Sequence, residues 1–220
     1  MNSALASLRP AGVVFDCDGL LMDTEPLWTV AETAVFASRG LSYGPEEKAR
    51  FIGKSVPATV AMMAEVFGEV GNEAAIQADV LRTFADVTLR EAEPMPGALE
   101  LVDLLRHRVP IGVASNSPRA VLDVTLTRAG LTRTFGAVVA ADEVPVPKPA
   151  PDLYLAACGL LGVPATDCVA FEDTTTGVAA ARAAGMTVVA VPSPDHPALG
   201  ADLVLDSLAH PALVAWAASL

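Results

Sequence analysis

Two acids one residue apart, Asp16 and Asp18, close an apolar run in VVFDCDGLLMDTEP. Side chains of an extended chain alternate faces, so both carboxylates point to one side and Cys17 to the other. Like charges so placed repel unless a cation or a bound group lies between them. Three further stretches carry related chemistry: Ser115 and Asn116 end PIGVASN, Lys148 sits in VPVPKPAP, and Glu172 and Asp173 end DCVAFED. Hard oxygen donors, with few imidazoles or thiolates in the chain, suit Mg²⁺, which binds a few carboxylates and completes its shell with water and phosphate oxygens. Asp16 and Asp173 are the ligand candidates, with Glu172 beside them or acting through water. A fixed ammonium at Lys148 would neutralise a phosphate dianion together with Asp16, although VPVPKPAP also reads as a stiff connector. SNS, from Ser115 to Ser117, reads either as an oxyanion site at a helix start or as a helix cap. TTTG, from Thr174 to Gly177, reads as a cap that also holds Asp173 rigid.

These groups need a scaffold, and the sequence supplies one. Six short runs are almost wholly apolar, as strands buried on both faces are: 11–16, 110–116, 136–142, 167–173, 187–192 and 201–206. Helical patterns lie between them: PGALELVDLLRHR opens on Pro96, two others close on Gly130 and Gly185, and PDLYLAACGLLG spaces its apolar residues helically. Alternating strand and helix predicts an α/β fold with a doubly wound, Rossmann-like parallel sheet. In the 3-2-1-4-5-6 order the first strand lies between the second and fourth, and the polar strand ends converge. Loop polarity alone accounts for any single pair, but poorly for three acids on adjacent strands.

One connection is too long. Over 90 residues separate the first two runs, where a strand-helix-strand unit needs about 30, and the excess has only helix-type pattern. The expected organisation is an α/β core domain of residues 1–23 and 93–220 with an inserted helical cap domain, 24–92. An insertion leaving the carboxyl end of a strand is expected over the ligand site of such a sheet.

Of the 220 residues 52% are hydrophobic, enough for a substantial core. Asp and Glu outnumber Lys and Arg by 26 to 14, for a net charge of -12, which argues against nucleic acid or an anionic membrane as partner. Cys17, Cys158 and Cys168 sit in apolar contexts and read as reduced core residues. His107, His196 and His210 lack zinc spacing. No run approaches the roughly 20 apolar residues of a membrane span, and the N-terminal stretch does not read as a signal peptide. A cytoplasmic location and a monomer are the simplest expectations, with a homodimer left open.

In order and spacing, DCDGLLMDTEP, SNS, KPAPDLYL and FEDTTTGVAAARAAGM resemble the four motifs of the haloacid dehalogenase-like hydrolase superfamily, in its branch with a helical cap between the first two. The resemblance runs from about Val13 to Val191. It implies that Asp16 is a nucleophile forming an aspartyl-phosphate and that Asp18 is the general acid and base. It also implies phosphoryl binding by Ser115, the Asn116 backbone N–H and Lys148. Mg²⁺ would be held by Asp16, the Asp18 backbone carbonyl and Asp173, with Glu172 in support.

The implied activity is hydrolysis of a small phosphorylated metabolite. Dehalogenation is disfavoured because such relatives lack the acid at Asp18, and phosphonate cleavage because they carry a small residue there and need a Schiff-base amine from the cap. The nearest rival is a β-phosphoglucomutase-like sugar phosphomutase, but the His and Arg of that type are Trp28 and Val56 here. A non-catalytic binding protein of this fold would usually have lost one of the acids. MDTEPLW resembles the sugar-phosphate and polyol-phosphate phosphatases of the branch. Glu25, Trp28 and Lys54 are therefore expected to face substrate; a cap-core role for Trp28 and a solvated one for Lys54 compete.

Overall fold

Val13, Val14 and Phe15 are β-branched or aromatic and wholly buried, and they make β1 (Gly12–Phe15) a central strand. The computed structural model describes residues 3–51, 56–192 and 200–220. After α1 (Ser3–Ser7) and β1 the chain forms β2 (Met22–Asp23), α2 (Glu25–Ala37), α3 (Pro45–Phe51), α4 (Val56–Phe67), α5 (Glu73–Glu91) and β3 (Glu93–Pro94). It continues through α6 (Ala98–Arg106), β4 (Ile111–Ala114), α7 (Arg119–Arg128), β5 (Ala137–Val139), α8 (Asp152–Leu161) and β6 (Cys168–Glu172). Then come α9 (Thr175–Ala183), β7 (Thr187–Ala190), β8 (Leu203–Val204) and α10 (Pro211–Ser219). By contacts the chain divides into two compact units, one of residues 1–23 and 93–220 and one of residues 24–92.

The first unit is built on a six-stranded sheet in the order β5-β4-β1-β6-β7-β8, with every pair parallel. This is the doubly wound order expected from the apolar runs. Strand alternation sorts the core into two layers. Val14, Ala170 and Val188 join Tyr154 and Ala157 of α8 and Val178 and Ala181 of α9 on one face. On the other, Phe15 stacks on Phe171 with ring centroids 5.2 Å apart, and Phe171 meets Trp216 of α10 at 6.3 Å. The Trp216 indole N–H donates to the Leu8 carbonyl at 3.0 Å, which ties α10 to the residues after α1. A separate two-stranded antiparallel ribbon pairs Met22 with Pro94 and Asp23 with Glu93.

The second unit holds α2 to α5 around Val35, Phe36, Phe51, Val60, Met63, Ile76 and Val80. Phe36 meets Tyr43 and Phe67 edge-on at 5.2 and 4.8 Å. Arg39 bonds Glu69 at 2.8 Å and Asp79 at 3.2 Å while its guanidinium lies over the Phe67 ring, so one side chain joins three segments of the unit. Among the described residues no helix is long and apolar enough to cross a membrane. All three cysteines are buried and unpaired.

Trp216 combines deep burial with a hydrogen bond to a remote carbonyl. Trp216→Ala should destabilise the α/β unit by about 3–5 kcal/mol and Trp216→Phe by much less, measured by urea unfolding; equal small losses would show that α10 is dispensable.

Candidate active site

The residues of interest begin where β1 stops. The Asp16 N–H still donates to the Phe171 carbonyl at 3.0 Å, extending the β1–β6 ladder by one step. Val14 and Ala170 face α8, and the next positions of that parity are Asp16 and Glu172. Asp18 is no longer on a strand. The chain turns, with Leu21 and Met22 N–H donating to the Cys17 carbonyl at 2.9 and 3.1 Å and Gly19 N–H to the Met22 carbonyl at 2.8 Å. Turning carries the Asp18 carboxylate to the end of β4, where its Oδ2 accepts from Ser115 Oγ at 3.1 Å and Ser117 Oγ at 2.8 Å. The two acids that open the motif thus have different partners, because the extended geometry assumed from the sequence ends at Phe15.

Lys148 is 7% exposed. Its ammonium donates to Asp16 Oδ1 and to Glu172 Oε1, each at 2.6 Å. Its backbone is clasped by the Asn116 side chain, whose Oδ1 accepts from Lys148 N–H at 2.9 Å and whose amide donates to the Lys148 carbonyl at 3.3 Å. The proline-rich loop is therefore held, and the SNS tripeptide makes no side-chain cap on α7. Burial works against the charge on Lys148, but Asp16 and Glu172 outweigh it and raise the ammonium above its usual range, so it stays charged.

Glu172 is fully buried. Its Oε2 accepts from Asp173 N–H, Thr174 N–H and Thr174 Oγ at 3.1–3.3 Å. The carboxylate lies at the amino end of α9, where orphan N–H groups favour negative charge. A Cβ on Gly177 would collide with it, so the first turn of α9 needs glycine there. Thr174 also caps α9 by accepting from Gly177 N–H at 3.1 Å. Oε1 accepts from Lys148 and, at 2.6 Å, from the hydroxyl of Tyr154. Burial first, then the charge of Glu172, pushes the Tyr154 phenol well above its usual range, which keeps it a donor.

Asp173 completes the cluster. Its Oδ2 lies against Gly19, whose φ of +80° and lack of a Cβ are both required. Its Oδ1 is buried without a hydrogen-bond partner, an unfavourable state for a carboxylate oxygen. Asp16, Glu172 and Asp173 each offer an oxygen within 4.8 Å of the others. Burial is the main cause that raises the Asp16 carboxyl to about 7; Lys148 opposes the shift while Glu172 and Asp18 add to it. Burial, then Asp16 and Glu172, likewise push Asp173 well above the usual carboxylate range. One ammonium among three carboxylates leaves negative charge uncompensated. A small divalent cation with a preference for oxygen fits that excess and the orphaned Oδ1. Glu172 already has both oxygens engaged, so Asp16 and Asp173 are the better placed ligands.

In the helical unit, Glu25 is exposed in the first turn of α2. Trp28 is half-buried and stacked on Phe84 with centroids 3.8 Å apart. Lys54 lies outside the described residues. Ser117 and Tyr154 were missed by sequence reasoning. Both stood inside quoted motifs, SNS and KPAPDLYL, but Ser117 meets Asp18 across 99 positions and Tyr154 has the spacing of an ordinary core residue.

Residues 13–191 match the family model described as haloacid dehalogenase-like hydrolase. The fructose-1-phosphate phosphatase YqaB of Escherichia coli is 36% identical over 186 residues, covering 83% of this chain and 97% of the relative. Hexitol phosphatase B of the same species is 34% identical over 192 residues, 83% of either chain. The crystal structure of CbbY from Rhodobacter sphaeroides in complex with phosphate superposes with a TM-score of 0.81 at 25% identity, covering 92% of this chain and 96% of that one. With the sheet order, the acid cluster and these matches agreeing, the chain belongs to the haloacid dehalogenase-like hydrolase family.

Proposed function

We propose that the protein is a Mg²⁺-dependent phosphatase of small phosphorylated metabolites, with sugar or polyol monophosphates as its substrate class. The observation that carries this reading is the Asp16 carboxylate, pinned by a buried ammonium beside an Asp173 oxygen that has no partner. The names of the two Escherichia coli relatives support the substrate class. Residues 24–92 are the cap, with Glu25, Trp28 and Lys54 as its candidate substrate contacts.

Lys148 engages Asp16 Oδ1, leaving Oδ2 to attack phosphorus. The new bond joins Asp16 to the phosphoryl group as the ester P–O bond breaks. Asp18 gives its proton to the leaving alkoxide. In the second half, Asp18 takes a proton from water as that water attacks phosphorus, which frees Asp16 and inorganic phosphate. Asn116 N–H, Lys148 and the Ser115 hydroxyl, turned from Asp18 to the substrate, bind phosphoryl oxygens, while Ser117 keeps its bond to Asp18 and helps orient it. Mg²⁺, held by Asp16, Asp173 and the Asp18 carbonyl with Glu172 in support, would neutralise the charge that otherwise keeps an anionic nucleophile from a phosphate dianion.

Phosphate release from a panel of sugar, polyol and glycolate phosphates should require Mg²⁺ and cease in EDTA. Asp16→Asn should lose at least about three orders of magnitude in kcat. Release that survives Asp16→Asn would sink the assignment, and conversion of a hexose 1-phosphate to its 6-phosphate with little free phosphate would redirect it to a mutase.

The raised carboxyl of Asp16 gives a second check. An acid whose folded pKa exceeds its unfolded one binds more protons when folded, so stability falls as pH rises between the two. In EDTA, wild type should lose stability relative to Asp16→Asn between pH about 4 and about 7. The scale is a few kcal/mol, at about 1.4 kcal/mol per pKa unit. Mg²⁺ should restore wild type above pH 7. A difference that stays flat with pH in chemical unfolding would contradict this account of the cluster.

A further inference from the structure

Tyr154 is wholly buried in the first turn of α8, amid the core that covers β1 and β6. A phenylalanine would fill that space as well, and a buried hydroxyl is costly unless bonded. Its hydroxyl donates to Glu172 Oε1 at 2.6 Å, the same oxygen that Lys148 uses. Its ring centroid lies 4.9 Å from the Lys148 Nζ, within range of a cation–π attraction. Glu172 is gripped on Oε2 by the start of α9, so a second grip on Oε1 fixes the plane of the carboxylate. The ammonium is then confined by Glu172 and the Tyr154 ring, and its remaining direction is toward Asp16 Oδ1.

We propose that Tyr154 is a positioning residue of this site, one that sets the place of Lys148, and through it Asp16, by hydrogen-bonding Glu172 and lying beside the ammonium. The inference rests on the phosphatase reading for its effect on turnover, but not for its effect on Lys148. Positioning groups work when they are locked into rigid elements, and Tyr154 meets that condition through its burial in α8.

Two measurements on the full chain test it. Tyr154→Phe keeps the ring and removes the oxygen. It should lower kcat about tenfold, the scale of one charge-assisted hydrogen bond, and leave KM within about twofold. Because Tyr154 acts through Glu172, the double variant with Glu172→Gln should be no worse than Glu172→Gln alone, within about twofold. Independently of turnover, the Lys148 ammonium, buried and doubly bonded, should give a slowly exchanging ¹H–¹⁵N signal, assigned by its absence in Lys148→Gln. Tyr154→Phe should broaden or remove that signal. If Tyr154→Phe does not fold, wild type alone decides: the Tyr154 hydroxyl proton, bonded to the same oxygen as the ammonium, should exchange slowly and show a nuclear Overhauser contact to the Lys148 ammonium, and its absence would overturn the proposal. Additive losses in kcat, a signal unchanged in the folded variants, or lowered thermal stability as the only effect would each overturn the proposal. A wild type that releases no phosphate, yet whose Lys148 signal responds as expected, would instead overturn the phosphatase reading and uphold the positioning.

Discussion

Lys148 brings a positive charge into a part of the sheet where three carboxylates have been drawn out of water. Removing ions from water costs several kcal/mol each unless good geometry and further hydrogen bonds offset it. Glu172 meets that condition completely, with two donors on one oxygen and three on the other. Asp16 meets it on the side of the ammonium, and Asp173 only in part, since Oδ1 has nothing to bond. This gradient from saturated to unsatisfied separates a carboxylate that organises from carboxylates that remain available. Composition cannot distinguish them, as all are acids at strand ends.

The parallel sheet makes the arrangement affordable in geometric terms. β1, β4 and β6 end side by side, so each contributes a short polar segment without a long loop to order. Strand parity directs Asp16 and Glu172 toward the α8 face, where Lys148 and Tyr154 arrive from one connection. The turn after β1 carries the Asp18 carboxylate to the serines that follow β4. Two sets of contacts result, the lysine cluster and the serine pair, and Asn116 joins them by holding the backbone of Lys148.

Much of this was legible in the chain because the central strands are buried on both faces. VVF, IGVA and CVAFE can hardly be anything but interior strands between their breakers, and their alternation with helices makes the sheet parallel; the 3-2-1-4-5-6 order is one of the common doubly wound orders, and it is the one the structure has. Asp16, Glu172 and Asp173 were legible because charge at the end of such a run is costly, and Lys148 because it is a lone cation in a stiff loop after the third run. The partners of those charges were not. Ser117 looks like any loop serine until the turn at Asp18 is seen, and Tyr154 looks like core. HPALVAWAASL is apolar on every side, so no period distinguishes α10, and a two-residue ribbon such as β2–β3 is too short to leave a pattern.

That ribbon has a topological meaning. Residues 24–92 depart from β2 and return at β3, and neighbouring strands lie only about 5 Å apart. To the sheet, this whole helical segment is the loop of a hairpin. The entropy of closing a loop rises by only about 0.6 kcal/mol for each doubling of its length. A segment of quite different size and make could therefore close the same two strands at little cost to the fold that carries the acids. The chain separates what must stay constant from what is free to diverge by a single pair of two-residue strands.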